Sequence, residues 1–161
     1  MKKMLVCAAL VAALGAGCSP ANFAGQYTID VINGANGCGF SPWNVGDTAR
    51  GVGLTITQTP DQISGKVGGL TGVFLNLTLG NDTFTGTGAG NQITLVLTGS
   101  RAMSNKTCAY TTNATARASL TGEALAGTIV YTNSTNKAAD CGALNDCSTT
   151  QSFSGLRTAA Q

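Results

Sequence analysis

Apolar and polar residues alternate through most of the chain, in short runs separated by turn residues. The clearest example begins with Leu54–Gln58, turns at Thr59–Asp61 and returns as Ile63–Val67. Alternation of this kind, broken by Gly, Asn, Asp and Pro, is typical of antiparallel strands with one solvated face. The pattern predicts strands at 23–31, 54–58, 63–67, 75–79, 84–87, 93–98, 107–121, 125–132 and 148–157.

Two long connections interrupt this series, at Asn33–Arg50 and Asn133–Asp146. Loops of this length are uncommon in compact domains and often act as lids or binding loops. The first holds Phe40 and Trp43, the only tryptophan of the chain. These two aromatic residues are predicted either to line the mouth of a ligand cavity or to plug one end of the domain as ordinary core.

An apolar residue followed two places later by glycine recurs along the chain, at Phe23/Gly25, Ile63/Gly65, Phe84/Gly86, Leu125/Gly127 and Phe153/Gly155. Glycines at matched strand positions allow the bends that close a small barrel. We therefore predict an all-β fold, a single antiparallel meander barrel of about eight or nine strands, with a β-sandwich as the alternative. Because nine strands cannot close in an entirely antiparallel manner, either one predicted strand is wrong or the terminal strands pair in parallel.

The same pattern resembles the small up-and-down barrels of the lipocalin and avidin type, with an opening apolar-x-Gly strand, a long first loop and successive hairpins. Gly25 is followed by Gln26 and Tyr27, where lipocalins have their opening Gly-x-Trp. The resemblance implies the barrel architecture. Inside such a barrel, the alanines of 107–121 and the repeated glycines either leave a cavity or face large residues, with Phe84, Tyr131 and Phe153 available.

The first residues have the organisation of an export signal. Met1–Lys3 is positively charged, Met4–Leu14 is a short apolar run, and Gly15–Gly17 precedes Cys18. This segment resembles a bacterial lipoprotein signal peptide, which implies that Cys18 is lipidated and becomes the first mature residue. In that family, Ser19 after the cysteine implies the outer membrane. The expected organisation is a cleaved signal peptide at 1–17, a lipid anchor and tether at 18–22, a β-barrel domain at 23–157 and a frayed tail at 158–161.

Cysteine parity supports lipidation, because Cys18, Cys38, Cys108, Cys141 and Cys147 make an odd number in the mature chain. Lipid on Cys18 leaves four cysteines that can form disulfides in an oxidising compartment. Three pairings are possible, and short spacing favours Cys141 with Cys147 and Cys38 with Cys108. The alternative is an ordinary secretory signal with Cys18 as a spare thiol.

Composition excludes several functional classes. Charged residues are 10% of the chain, and removing Lys2 and Lys3 from the net charge of +2 leaves 2 − 2 = 0. A neutral domain lacks the basic field that binds nucleic acid or anionic lipid. The absence of histidine removes the usual nucleophile pairs and zinc sites, so we expect no enzyme, no cofactor and no metal. A hydrolase built on two carboxylates is the residual alternative.

The sequence thus predicts an outer-membrane lipoprotein whose β domain binds a small apolar ligand or lipid without catalysis. The expected partners are the membrane, through the anchor, and an envelope or surface protein. The alternative function is a loop-mediated protein or carbohydrate interaction module, such as an adhesin, an assembly accessory or an inhibitor barrel. That alternative predicts a solid core and an exposed apolar patch on the loop at 33–50 or at 133–146.

Overall fold

The computed structural model describes residues 20–158. The predicted signal peptide, Cys18 and the last three residues lie outside the described residues. The described part of the chain forms nine strands, one α-helix and one 3₁₀ helix, in the order β1 (Gly25–Asn36), β2 (Thr48–Gln58), β3 (Ile63–Val67), α1 (Gly69–Leu79), β4 (Thr83–Ala89), β5 (Gln92–Leu97), β6 (Met103–Asn105), β7 (Cys108–Thr121), β8 (Ala124–Thr135), the 3₁₀ helix (Ala139–Leu144) and β9 (Thr149–Arg157).

Eight of these strands form a closed antiparallel barrel, which confirms the predicted fold class. β1 to β5 pair in sequence order, β5 pairs with β7, and β7, β8 and β9 continue until β9 pairs with β1. β6 pairs with β7 at Met103 opposite Tyr110, beyond the stretch of β7 that β5 occupies. Because every sheet edge of the eight strands is paired, the barrel presents no long open edge.

The predicted strand at 75–79 is wrong, and this error resolves the odd strand count. These residues form the end of α1, and β3 pairs directly with β4 through Lys66 opposite Thr83. Leu75, Leu77 and Leu79 fit a period of two, but the wider stretch also fits a helical period. Short apolar runs of this kind are ambiguous between the two periods.

Three predicted loops are also shorter than expected. β1 extends to Asn36 and β2 begins at Thr48, so the first long connection spans 37–47. β6 lies between the predicted strands at 93–98 and 107–121, and β8 extends into the second long connection. Polar, glycine and alanine residues make up most of these extensions, so the sequence there shows little apolar alternation and the pairing depends on the neighbouring strands.

The two ends of the barrel differ. The turn end carries three tight turns, at 59–62, 90–91 and 122–123, together with both ends of the described chain. There the Ala21 amide donates to the Gly90 carbonyl at 2.5 Å, and the Thr158 amide donates to the Gln26 carbonyl at 2.7 Å. The helix end carries α1, the loop 37–47 and the 3₁₀ helix.

Three of the five repeated glycines lie where the neighbouring backbone approaches too closely for a side chain. A Cβ built on Gly86, Gly127 or Gly155 would fall onto the carbonyl oxygen of Thr94, Arg117 or Thr28, respectively. This agrees with the expectation that the glycines serve barrel closure.

Large side chains occupy the space beside these small residues. Phe84 lies opposite Gly65 on the neighbouring strand, and Phe153 lies opposite Gly127. Tyr131 lies opposite Ala114, and all three aromatic residues are buried. Of the two expectations for the interior, small residues facing large ones is therefore the arrangement observed.

We expect Gly155→Ala to lower the free energy of unfolding by about 2–3 kcal/mol, since the new methyl group would overlap the backbone of β1. Gly53→Ala is the matched control, because Gly53 lies on the other neighbour of β1, opposite Thr28, and a Cβ there meets nothing within 4 Å. The control should change the free energy by no more than about 0.5 kcal/mol. Equal effects in urea unfolding would contradict the proposed close approach.

Candidate functional site

Phe40 and Trp43 lie at the helix end and pack against Tyr131. The ring centroids of Phe40 and Trp43 are 5.9 Å apart, and those of Phe40 and Tyr131 are 6.0 Å apart, both in edge-to-face geometry. Trp43 Nε1 donates a hydrogen bond of 3.0 Å to the Gly34 carbonyl. Asn36 fixes Phe40 by accepting from its amide at 2.8 Å and donating to its carbonyl at 2.9 Å. This arrangement is a fixed aromatic cap.

Beneath the aromatic cap lies a layer of hydrogen-bonded polar side chains. The Tyr131 hydroxyl donates to Gln151 Oε1 at 2.7 Å, and Gln151 Nε2 donates to Asn33 Oδ1 at 2.8 Å. The Thr112 hydroxyl donates to Asn133 Oδ1 at 2.7 Å. Burial raises the pKa of the Tyr131 hydroxyl far above its ordinary range. Among the described residues, every buried side-chain nitrogen and oxygen has a hydrogen-bond partner, so this layer leaves no buried polar group unsatisfied.

A cavity of about 50 Å³ remains deeper in the barrel, with a wholly apolar lining that includes Ile56, Phe84, Ile93, Leu95, Ile129 and Phe153. Phe40 and Trp43 do not line it. A cavity of about 150 Å³ holds one benzene, and ligand pockets typically span about 300–1,000 Å³. As folded, this cavity cannot hold a lipid, and a ligand mouth at Phe40 and Trp43 stays a prediction.

Two disulfides fasten the helix end, and the preferred pairing from sequence is wrong. Cys38 is bonded to Cys147, and Cys108 is bonded to Cys141. The first joins the loop 37–47 to the segment just before β9, and the second joins the start of β7 to the 3₁₀ helix. Strand order brings these pairs together, because β1 neighbours β9 and the chain between β8 and β9 returns past β7. Proximity along the sequence was therefore a poor guide.

Several acidic side chains have local partners. Asp30 is paired with Arg50 at 3.7 Å, and Glu123 is paired with Arg157 at 3.1 Å. Hydrogen bonds from Thr107 lower the pKa of the exposed Asp140. In residues 20–158, no three His, Cys, Asp or Glu side chains are grouped so that they could hold a metal ion.

The helix α1 is the feature that sequence reasoning missed. It packs against the barrel through three buried residues, Gly72, Leu75 and Leu79. A Cβ on Gly72 would fall onto the Val67 carbonyl, so the glycine lets the helix lie close to the end of β3. Its opposite face carries four large apolar side chains that are 56–89% exposed, here called the α1 stripe: Leu70, Val73, Phe74 and Leu77.

Hydrogen bonds hold the C-terminal end of α1, and with it the α1 stripe, in place. At the helix C-terminus the Gly80 amide donates to the Asn76 carbonyl at 3.0 Å, with Gly80 in the left-handed conformation. The Leu79 carbonyl accepts from the Ser100 amide at 2.8 Å, and Arg101 Nη1 donates to the Leu77 carbonyl at 2.6 Å. These bonds satisfy carbonyls that a helix end otherwise leaves free. The spacing of 70, 73, 74 and 77 was the available sequence signal for such a face.

At the opposite end, Arg157 fastens the N-terminal segment. Its Nε donates to the Tyr27 hydroxyl at 3.0 Å, its guanidinium carbon lies 5.4 Å from the centre of the Tyr27 ring, and its Nη2 donates to the Asn22 carbonyl at 2.6 Å. Gln58 accepts from the Phe23 amide at 2.8 Å. Residue 20 therefore leaves the domain at the turn end.

No protein family matches the chain, and no curated protein or solved structure is significantly similar to it. Between residues 20 and 158, the structure contains no helix with the length and apolar character needed to cross a membrane.

We expect Tyr131→Phe to lower the free energy of unfolding by about 1 kcal/mol, because Gln151 Oε1 loses its donor. Since folding raises the pKa of Tyr131, the stability that this hydroxyl contributes should be complete below the unfolded pKa of about 10 and should fall as the pH rises above it. The difference between the wild type and Tyr131→Phe should therefore shrink from pH 8 to 11. Tyr110→Phe, at a half-buried tyrosine on β7, is the control, and a constant difference would contradict the buried hydroxyl.

Proposed function

We propose that this chain is an outer-membrane lipoprotein and that its barrel is a non-catalytic interaction module. The observation that carries the proposal is the α1 stripe on a barrel whose interior is nearly filled. Fully burying a Leu, Val or Phe side chain is worth about 1.5–3 kcal/mol, so covering the exposed part of the stripe is worth roughly 4–8 kcal/mol. Association costs about 4–15 kcal/mol, so the stripe can be a main part of a binding surface but needs neighbouring contacts.

The proposed anchor gives the barrel an orientation. Cys18 precedes Pro20 by two residues, and Ala21 and Asn22 are bonded at the turn end. Lipid on Cys18 would place the turn end at the membrane. β7 has 14 residues, and at 3.3 Å per residue and a strand tilt near 40° it spans about 35 Å along the barrel axis. The helix end would then face away from that membrane, towards proteins of the envelope or outside the cell.

The position of the exposed apolar surface differs from the one predicted for a loop-mediated interaction module. That prediction placed an apolar patch on the loop at 33–50 or at 133–146, whereas the largest group of exposed apolar side chains lies on α1. Val45, on the loop 37–47, is 73% exposed and is a further apolar residue of the helix end. Loops and connections on a rigid scaffold are common places for binding residues.

A small apolar ligand inside the barrel is the second candidate. The apolar lining of the cavity favours it, but a ligand of ordinary size would require the core to repack. Native mass spectrometry of protein taken from its own membrane separates the candidates. A mass that survives native conditions and disappears on denaturation would support the ligand.

We expect the native protein to begin at Cys18 and to carry a diacylglyceryl group and an acyl chain, which intact mass measurement checks.

A photo-crosslinking amino acid at Leu77 should form adducts in the intact envelope, whereas the same residue at Leu156 should form few. Both side chains are about equally exposed, at 60% and 62%, but Leu156 lies at the turn end. Equal crosslinking at both positions, or none at Leu77, would contradict an interaction surface on α1.

A further inference from the structure

We propose that the partner of the α1 stripe is the α1 stripe of a second copy of this chain. The inference rests on the proposed function, in which the stripe is a binding surface, and it names the occupant. In this arrangement two α1 helices pack antiparallel across a two-fold axis, and each buries the apolar face that the other leaves exposed.

The spacing of the stripe suits pairing with itself. Leu70, Val73, Phe74 and Leu77 follow the i, i+3, i+4, i+7 spacing of one helix face. In a two-fold pair of antiparallel helices, the middle of the stripe at Val73 and Phe74 meets its own counterpart. Leu70 of one copy then lies beside Leu77 of the other, which is the reciprocal relation that an isologous interface requires.

Charge also favours a second copy. The segment from Val67 to Asn81 contains no charged residue. The charges that flank it, Lys66 and Asp82, face each other at 4.0 Å, and Arg101 already donates to the Leu77 carbonyl. Two copies can therefore approach without bringing like charges together, and antiparallel helix dipoles add a small favourable term.

The position of the stripe argues against the bilayer as its occupant. The N-terminal segment leaves the barrel at the turn end, whereas α1 lies at the helix end. A lipid on Cys18 would hold the stripe away from the membrane to which it anchors. The same anchor would confine many copies to one surface in one orientation, which raises their effective concentration for pairing.

The size of the surface sets the expected strength. A standard protein interface uses about 20–30 residues on each side, whereas the stripe offers four apolar side chains. We therefore expect a weak dimer with a Kd between about 1 µM and 1 mM for the unlipidated chain in solution. Pairing would become substantial where anchoring concentrates the protein.

The test uses the full mature chain from residue 18 with Cys18→Ser, produced in an oxidising compartment. Sedimentation velocity over a concentration series from about 10 µM to 1 mM should show a monomer–dimer equilibrium. Leu77→Ser should weaken the dimer at least tenfold, whereas Leu156→Ser, at a leucine of matching exposure on the turn end, should leave it unchanged. If circular dichroism shows that Leu77→Ser does not fold, Val73→Thr is used in its place, because threonine preserves the shape of the valine side chain.

Three results would overturn the inference: a monomer at every concentration, equal weakening by both leucine variants, or a monomer that floats with phosphatidylcholine vesicles through Leu77. The last result would assign the stripe to hydrocarbon. Failure here is separable from failure of the proposed function. Crosslinks from Leu77 to a different envelope protein, without self-association, would overturn the second copy and leave the interaction module standing. Self-association in solution without any crosslink in the envelope would overturn both, because the pair would then not form where the protein is anchored.

Discussion

Closure of the barrel depends on close backbone contact at a few glycines. At Gly86, Gly127 and Gly155 a neighbouring carbonyl occupies the place of a Cβ, so the sheet can bend tightly enough for β5 to meet β7. The space that these glycines vacate on the inner face is taken up by large residues of the adjacent strands, such as Phe153 beside Gly127. The same glycines therefore account for both the closed sheet and the nearly filled interior.

The interior of the barrel is nearly filled, and its two ends are unequal. The turn end consists of tight turns and the bonded N-terminal segment, with Arg157 at its centre. The helix end carries the long connections, both disulfides and α1. The disulfide between Cys38 and Cys147 and the bonds of Asn36 to Phe40 hold the loop 37–47 against the barrel. The helix end thus combines long connections with a rigid base, which is typical of binding surfaces.

The sequence contained enough information for the strands and for the closure, because alternation and glycine spacing are local signals with a direct geometric meaning. It contained too little for α1, since Leu75, Leu77 and Leu79 satisfy two periods at once and the pairing of β3 with β4 decides between them. The disulfide pairing follows from which strands are neighbours, which is a property of the closed sheet. The fate of Phe40 and Trp43 depends on Tyr131, more than 85 residues further along the chain. These are the parts that sequence reasoning left open or decided wrongly.

The two faces of α1 are both apolar, but for different physical reasons. Leu75 and Leu79 are buried against the barrel, so the fold itself accounts for their apolar character. The folded domain does not require an apolar outer face, because polar side chains at the four positions of the α1 stripe would leave the contacts of α1 with the barrel unchanged. Thr71, Asn76 and Thr78 show that the helix accommodates polar residues elsewhere. An isolated domain gains no stability from exposed Leu70 or Phe74 and becomes more prone to aggregate because of them. We propose that a contact outside the folded monomer accounts for the apolar outer face, and the lack of charge there favours another uncharged apolar surface as its partner.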